Sequence, residues 1–114
     1  MLTIEKLREY GANVDDGLTR CMGKEDFYLL LVGKVLEDKR ITALEAQLAD
    51  KDLDSAFETA HALKGMYANL SLDPLTKPVS EITKLLRSRT DTDYSALIEE
   101  TIAQFEKLCS LAAE

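Results

Sequence analysis

The only histidine of the chain, His61, lies in the run Ala60-His61-Ala62-Leu63-Lys64-Gly65-Met66-Tyr67-Ala68-Asn69-Leu70. An imidazole with its ordinary pKa of about 6.5 is largely neutral near pH 7. A neutral imidazole is a nucleophile that can take up a phosphoryl group as a covalent intermediate. The product holds a labile P–N bond and can pass the group on. Such attack needs open approach, because the attacking nitrogen, the phosphorus and the leaving oxygen must lie in line.

The run reads as a helix. At about 100° per residue, Ala56, Ala60, Leu63, Tyr67 and Leu70 share one side. His61, Gly65 and Ala68 share another, with Lys64 at its edge. An exposed helix face normally carries long polar residues, but this one carries small ones after the histidine. Glycine inside a helix costs about 1 kcal/mol relative to alanine, so the bare backbone at Gly65 points to a partner that approaches the imidazole closely. Gly65, one turn on, and Ala68, two turns on, clear the approach. Lys64, at i+3, can reach phosphoryl oxygens and offset their charge; a merely solvated lysine is the plain alternative. Asn69 lies about 80° round the helix from His61, which suits holding nearby backbone or a loop better than touching phosphate. Phe57, four residues before His61 and off the centre of the apolar stripe, either tucks sideways onto a neighbouring helix or forms an apolar rim where a partner docks. Met66 and Tyr67 read as core or flank.

The residues His61, Leu63, Lys64, Gly65 and Asn69 resemble the pattern of the histidine-containing phosphotransfer (HPt) family, roughly His-x-Leu-Lys-Gly with Asn and Gly eight and ten residues after the histidine. Ser71 stands where that family usually has glycine, which bears on the local turn more than on the chemistry. Met66 and Tyr67 are bulkier than the family's usual small residues. The resemblance extends loosely over most of the 114 residues. It implies a phosphorelay intermediate with His61 as phosphoacceptor. It also implies a response-regulator receiver domain that supplies the aspartate and the Mg2+, and a hybrid sensor histidine kinase upstream. A docking module of the same fold that binds receivers without being phosphorylated is the second reading, and a purely structural bundle is the third.

The sequence holds no Gly-rich phosphate loop, Walker motif or nucleotide signature, and no obvious carboxylate cluster for magnesium. ATP-dependent kinase activity and a resident cofactor or metal are therefore not expected. The formal net charge is −7 and the pI about 4.7, which argues against nucleic acid or an anionic membrane as partner. A patch around Lys64 can still be locally neutral or basic. Cys21 and Cys109 form no metal or redox motif and read as small core residues in a reducing, cytoplasmic compartment. The start, Met1-Leu2-Thr3-Ile4-Glu5-Lys6, has no signal-peptide pattern, and the apolar run Phe27 to Val32 is too short to span a bilayer.

A chain of 114 residues, 46% of them hydrophobic and 31% charged, fits one domain over 1–114; the resemblance implies that it is HPt-like, and a monomer is expected. The elements that position the histidine are all helical. Thr3 caps a short helix over 3–10, and Asn13 caps another over about 14–22 that ends at Gly23. A helix over 25–39 offers Phe27, Leu30, Leu31, Val35 and Leu36 to a core. Gly33 within it is either a close-packing point or a mild weakness. Ile41, Leu44 and Leu48 mark a helix over about 41–50, and the histidine helix spans about 53–70. Asp73 reads as the cap of the next helix with Pro74 at its first position, unless Pro78 delays the regular start to about 77. Val79, Ile82, Leu85 and Leu86 continue its stripe. Asp91 or Thr92 caps a last helix over about 93–112 with Tyr94, Leu97, Ile98, Ile102, Phe105 and Leu108 on its face. The acidic pairs Asp15-Asp16 and Glu99-Glu100 read as solvated faces. Amphipathic helices joined by short turns give an all-α, up-down four-helix bundle, with short N-terminal helices covering one end or flank.

Overall fold

A computed structural model describes all 114 residues. The fold is all-α, with seven helices: α1 (Ile4–Tyr10), α2 (Val14–Arg20), α3 (Glu25–Glu37), α4 (Arg40–Ala49), α5 (Leu53–Asn69), α6 (Asp73–Arg87) and α7 (Ser95–Ala113). None is long and apolar enough to cross a membrane. The short connections make α5, α6 and α7 antiparallel neighbours, with α6 between the other two. The fourth column of the bundle is shared by two shorter helices, α4 against α5 and α3 against α7. The molecule is elongated, 41 × 26 × 19 Å.

Local chemistry explains the helix starts. Thr3 accepts from the Lys6 amide at 3.1 Å, Asn13 from Asp16 at 3.3 Å and Asp52 from Ser55 at 3.3 Å, each side chain satisfying an orphan donor of the first turn. The ends are less usual. Met22, Lys51, Ser71 and Arg89 all adopt positive φ, between 49° and 57°, the left-handed position that most often holds glycine after a helix. At each, the two amides after the cap turn back to helix carbonyls. For Ser71 and Leu72 these bonds run to Ala68 at 3.0 Å and Tyr67 at 3.1 Å. The backbone at Ser71 therefore takes the left-handed turn that glycine most often fills, without glycine.

One hydrophobic cluster runs from Leu7 to Leu108 and draws on all seven helices. Ala56, Ala60, Leu63 and Tyr67 of α5 are fully buried, as are Leu75, Val79, Ile82 and Leu86 of α6. Ile41, Leu44 and Leu48 are buried as their spacing predicts.

Four expectations need correction. On α3, Val35 is buried as expected, but Phe27 and Leu30 are 43% and 57% exposed, and Tyr28 and Val32 face the core in their place. The buried stripe is rotated by about one residue because Tyr28 seats against Gly17, where an added Cβ would come within 2.6 Å of its ring. Gly33 is no close-packing point, since a Cβ there would meet nothing within 4 Å. The α6 cap is Leu72, not Asp73, and Pro78 lies buried inside the helix without delaying its start. The Leu72 carbonyl accepts from both Leu75 and Thr76 at 2.9 Å, which closes the first turn ahead of the proline. Finally, α7 begins at Ser95; Asp93 turns back to accept from the Ser95 amide at 2.9 Å.

Candidate functional site

The middle of α5 presents His61 to solvent. Its neighbours on the outer face follow the helical wheel. Gly65 is exposed, and a Cβ built on it would meet nothing within 4 Å. Ala68 and Lys64 are half-buried. Lys64 enters none of the ion pairs, so its ammonium is uncommitted. The result is a strip of low relief beside the imidazole with one free cation at its edge.

Phe57 does two things at once. It is half-buried among its neighbours, and its ring stacks on the His61 imidazole with centroids 5.7 Å apart and planes 17° apart. Offset aromatic pairs at such separations contribute about 0.5–1.5 kcal/mol beyond area burial. Phe57 also meets two cations from the end of α6. The Arg89 guanidinium lies 4.8 Å from the ring centroid and that of Arg87 lies 6.0 Å away, both within cation–π range. Arg89 is anchored by Asp54 at 2.6 Å and by the Leu86 carbonyl at 2.6 Å.

Arg87, Arg89 and Asp54 did not stand out in the sequence, although a signal was there. α5 and α6 form an antiparallel pair turning at about residue 71. A residue 14 before the turn, Phe57, then faces a residue about 14 after it, near 85, so the basic end of α6 falls beside Phe57. Lys64, Arg87 and Arg89 set three cations against Asp54 and the exposed Glu58, which leaves this part of an acidic chain near neutral.

The other end of the strip opens into a groove of roughly 360 Å³ between α3 and the end of α5, lined by Leu31, Lys34, Val35, Met66, Asn69 and Leu70 among others. Asn69 is exposed. Met66 is half-buried, with its sulfur 3.8 Å from the Arg40 guanidinium, and Tyr67 belongs to the core. Below them, Ser71 is buried, and its hydroxyl donates a short hydrogen bond to the Asp16 carboxylate. That bond, together with Arg20, holds the Asp16 carboxyl below the usual carboxylate range. The Asn13 amide donates to the Ser71 carbonyl at 2.9 Å, and the Tyr28 hydroxyl to the Leu70 carbonyl at 2.8 Å. The turn after the histidine helix is thus fastened by α2 and α3.

A sequence profile of the Hpt domain matches residues 37–113, from the end of α3 to the end of α7. No curated protein and no solved structure matches the chain. With more than half of its residues covered by that profile, α4 to α7 entire, the chain belongs to the Hpt domain family, whose general role is phosphotransfer in two-component signalling.

Proposed function

We propose that this protein is a phosphorelay intermediate in which His61 accepts a phosphoryl group from the aspartyl phosphate of a response-regulator receiver domain and can return it. The observation that carries this reading is the exposed imidazole beside the unfilled space over Gly65. In the forward step the lone pair of an imidazole nitrogen attacks phosphorus. The P–N bond forms as the bond from phosphorus to the acyl oxygen breaks, and the aspartate leaves as carboxylate with that electron pair. The proton on the second ring nitrogen stays in place. Lys64 offsets charge on the phosphoryl oxygens. Gly65 and Ala68 give the receiver room to bring its own aspartate and Mg2+ to the histidine. Phe57 borders that approach. A hybrid sensor histidine kinase upstream, a monomeric state and a cytoplasmic location complete the proposal.

The test is to incubate the protein with a receiver domain phosphorylated on aspartate in Mg2+. Acid-labile label should appear on the wild type and be absent from His61→Gln. Label retained in that variant would move the phosphosite elsewhere. Receiver binding without any label would favour a docking module instead.

A further inference from the structure

We infer that Arg89 is a positioning residue: by clamping Phe57 it holds the His61 ring in one orientation for in-line attack. The inference rests on the proposed role of His61 as phosphoacceptor. Its evidence lies in the neighbouring helix. Arg89 occupies the left-handed position after α6, with φ of 49°. Its amide donates to Leu86 at 2.9 Å and that of Thr90 to Leu85 at 3.0 Å. The turn needs only a residue that tolerates this backbone, and glycine tolerates it best. Within the turn the side chain adds only one bond, from Nη1 to the Leu86 carbonyl, which already accepts from the Arg89 amide. Three other positions in this protein share the conformation without glycine, so the turn alone does not select arginine. What sets Arg89 apart is the destination of its guanidinium.

That group is fixed from three directions. Nε donates to Asp54 at 2.6 Å, Nη1 to the Leu86 carbonyl at 2.6 Å, and the planar head lies 4.8 Å from the Phe57 centroid. Phe57 passes the constraint on through its 17° stack with the imidazole. Arg87 is farther from the ring and has no ion pair to hold it. An exposed histidine otherwise turns freely, because the torsion about its Cβ–Cγ bond is broad. A ring that must point one nitrogen at an incoming phosphorus gains rate from being held, and small errors in such geometry cost large factors. Arg89 needs no contact with the phosphoryl group to have this effect.

The decisive variant is Arg89→Gly, since glycine suits the turn and removes only the side chain. Its melting temperature should equal or exceed that of the wild type. The NMR shifts of the His61 ring protons, displaced in the wild type by the Phe57 ring current, should move toward those of a free histidine. The rate of phosphotransfer at saturating receiver should fall on the order of tenfold, with KM for the receiver changed by less than about twofold. Phe57→Leu should act in the same direction, and adding Arg89→Gly to it should cost nothing more, as expected for two residues acting through one contact. Unchanged His61 shifts in Arg89→Gly would overturn the inference, and so would a loss carried by KM alone, which would make Arg89 a docking contact. The NMR readout needs no phosphotransfer, so it decides the role of Arg89 even where the wild type fails to accept label and the proposed function falls.

Discussion

On the inner face of α5, Ala56, Ala60, Leu63 and Tyr67 are each fully buried. On the outer face, Phe57, His61, Gly65 and Ala68 run from half-buried to exposed, and beside Gly65 there is nothing within 4 Å of where a side chain would begin. The two faces share one backbone and one cap at Asp52. The inner face runs from two small residues, Ala56 and Ala60, to two large ones, Leu63 and Tyr67, and α4 and α6 pack against it. The outer face is small where no element of this molecule approaches. Close packing explains the first, whereas the second is where the proposed function seats the receiver. A substitution should therefore report in stability on one side and in chemistry on the other.

The sharpest test of that division is His61→Gln, which should abolish acid-labile labelling while shifting stability by no more than about 0.5 kcal/mol, as exposed substitutions do. Paired thermal melts and transfer assays give both numbers. Leu63→Ala should do the reverse: it empties a fully buried site and should cost about 2–5 kcal/mol in denaturant unfolding, with label still accepted by the folded fraction. Gly65→Gln should raise stability by about 0.5–1 kcal/mol, because glycine is the poorer helix former, and slow transfer by filling the open space. Unchanged transfer and receiver affinity in that variant would mean that the outer face is not where the receiver docks. Lys64→Ala should have a smaller effect, leaving affinity for the receiver nearly intact and weakening retention or transfer of the phosphoryl group.

A pH-dependent effect lies within the packed interior. Burial, followed by the charges of Cys21, Asp73 and Asp16, pushes the Tyr28 hydroxyl up to about 12. A phenol raised in the folded state stabilises the fold below its ordinary value of 10 and loses that contribution as pH rises from there through about 12. Alkaline unfolding followed by circular dichroism should therefore steepen above pH 10, and less so in Tyr28→Phe.

How much of this was written in the sequence varies with the range of the interaction. The caps at Thr3, Asn13 and Asp52 depend on residues three apart and were readable locally. So was the wheel of α5, because its apolar residues leave only one consistent stripe. The run from Phe27 to Val32 leaves several, and the choice among them was made by Tyr28 seating on Gly17, a contact between separate helices that no local pattern reveals. Arg89 escaped for a similar reason. No local pattern marks it within the polar stretch after α6, and only the antiparallel register with α5 brings it to Phe57. Of the candidate site, the position of the imidazole and the bare strip beside it were legible; the stack and the clamp behind it were not.

The fastening of the Ser71 turn also bears on how the chain folds. α5, α6 and α7 pair with their neighbours in sequence, so their contacts close over short loops. The bonds that seal the end of α5 do not. Tyr28 reaches Leu70 across 42 residues and Ser71 reaches Asp16 across 55, and between α1 and α7 Tyr10 reaches Gln104 across 94. Non-local contacts form late, because the entropy of closing their loops must be met before they reward it. The order of assembly that follows has the α5–α7 hairpins in place first and α1 to α3 closing over them. Native-state hydrogen exchange should show the same order in reverse, with the amides of the first three helices opening at lower free energy than those beneath the histidine.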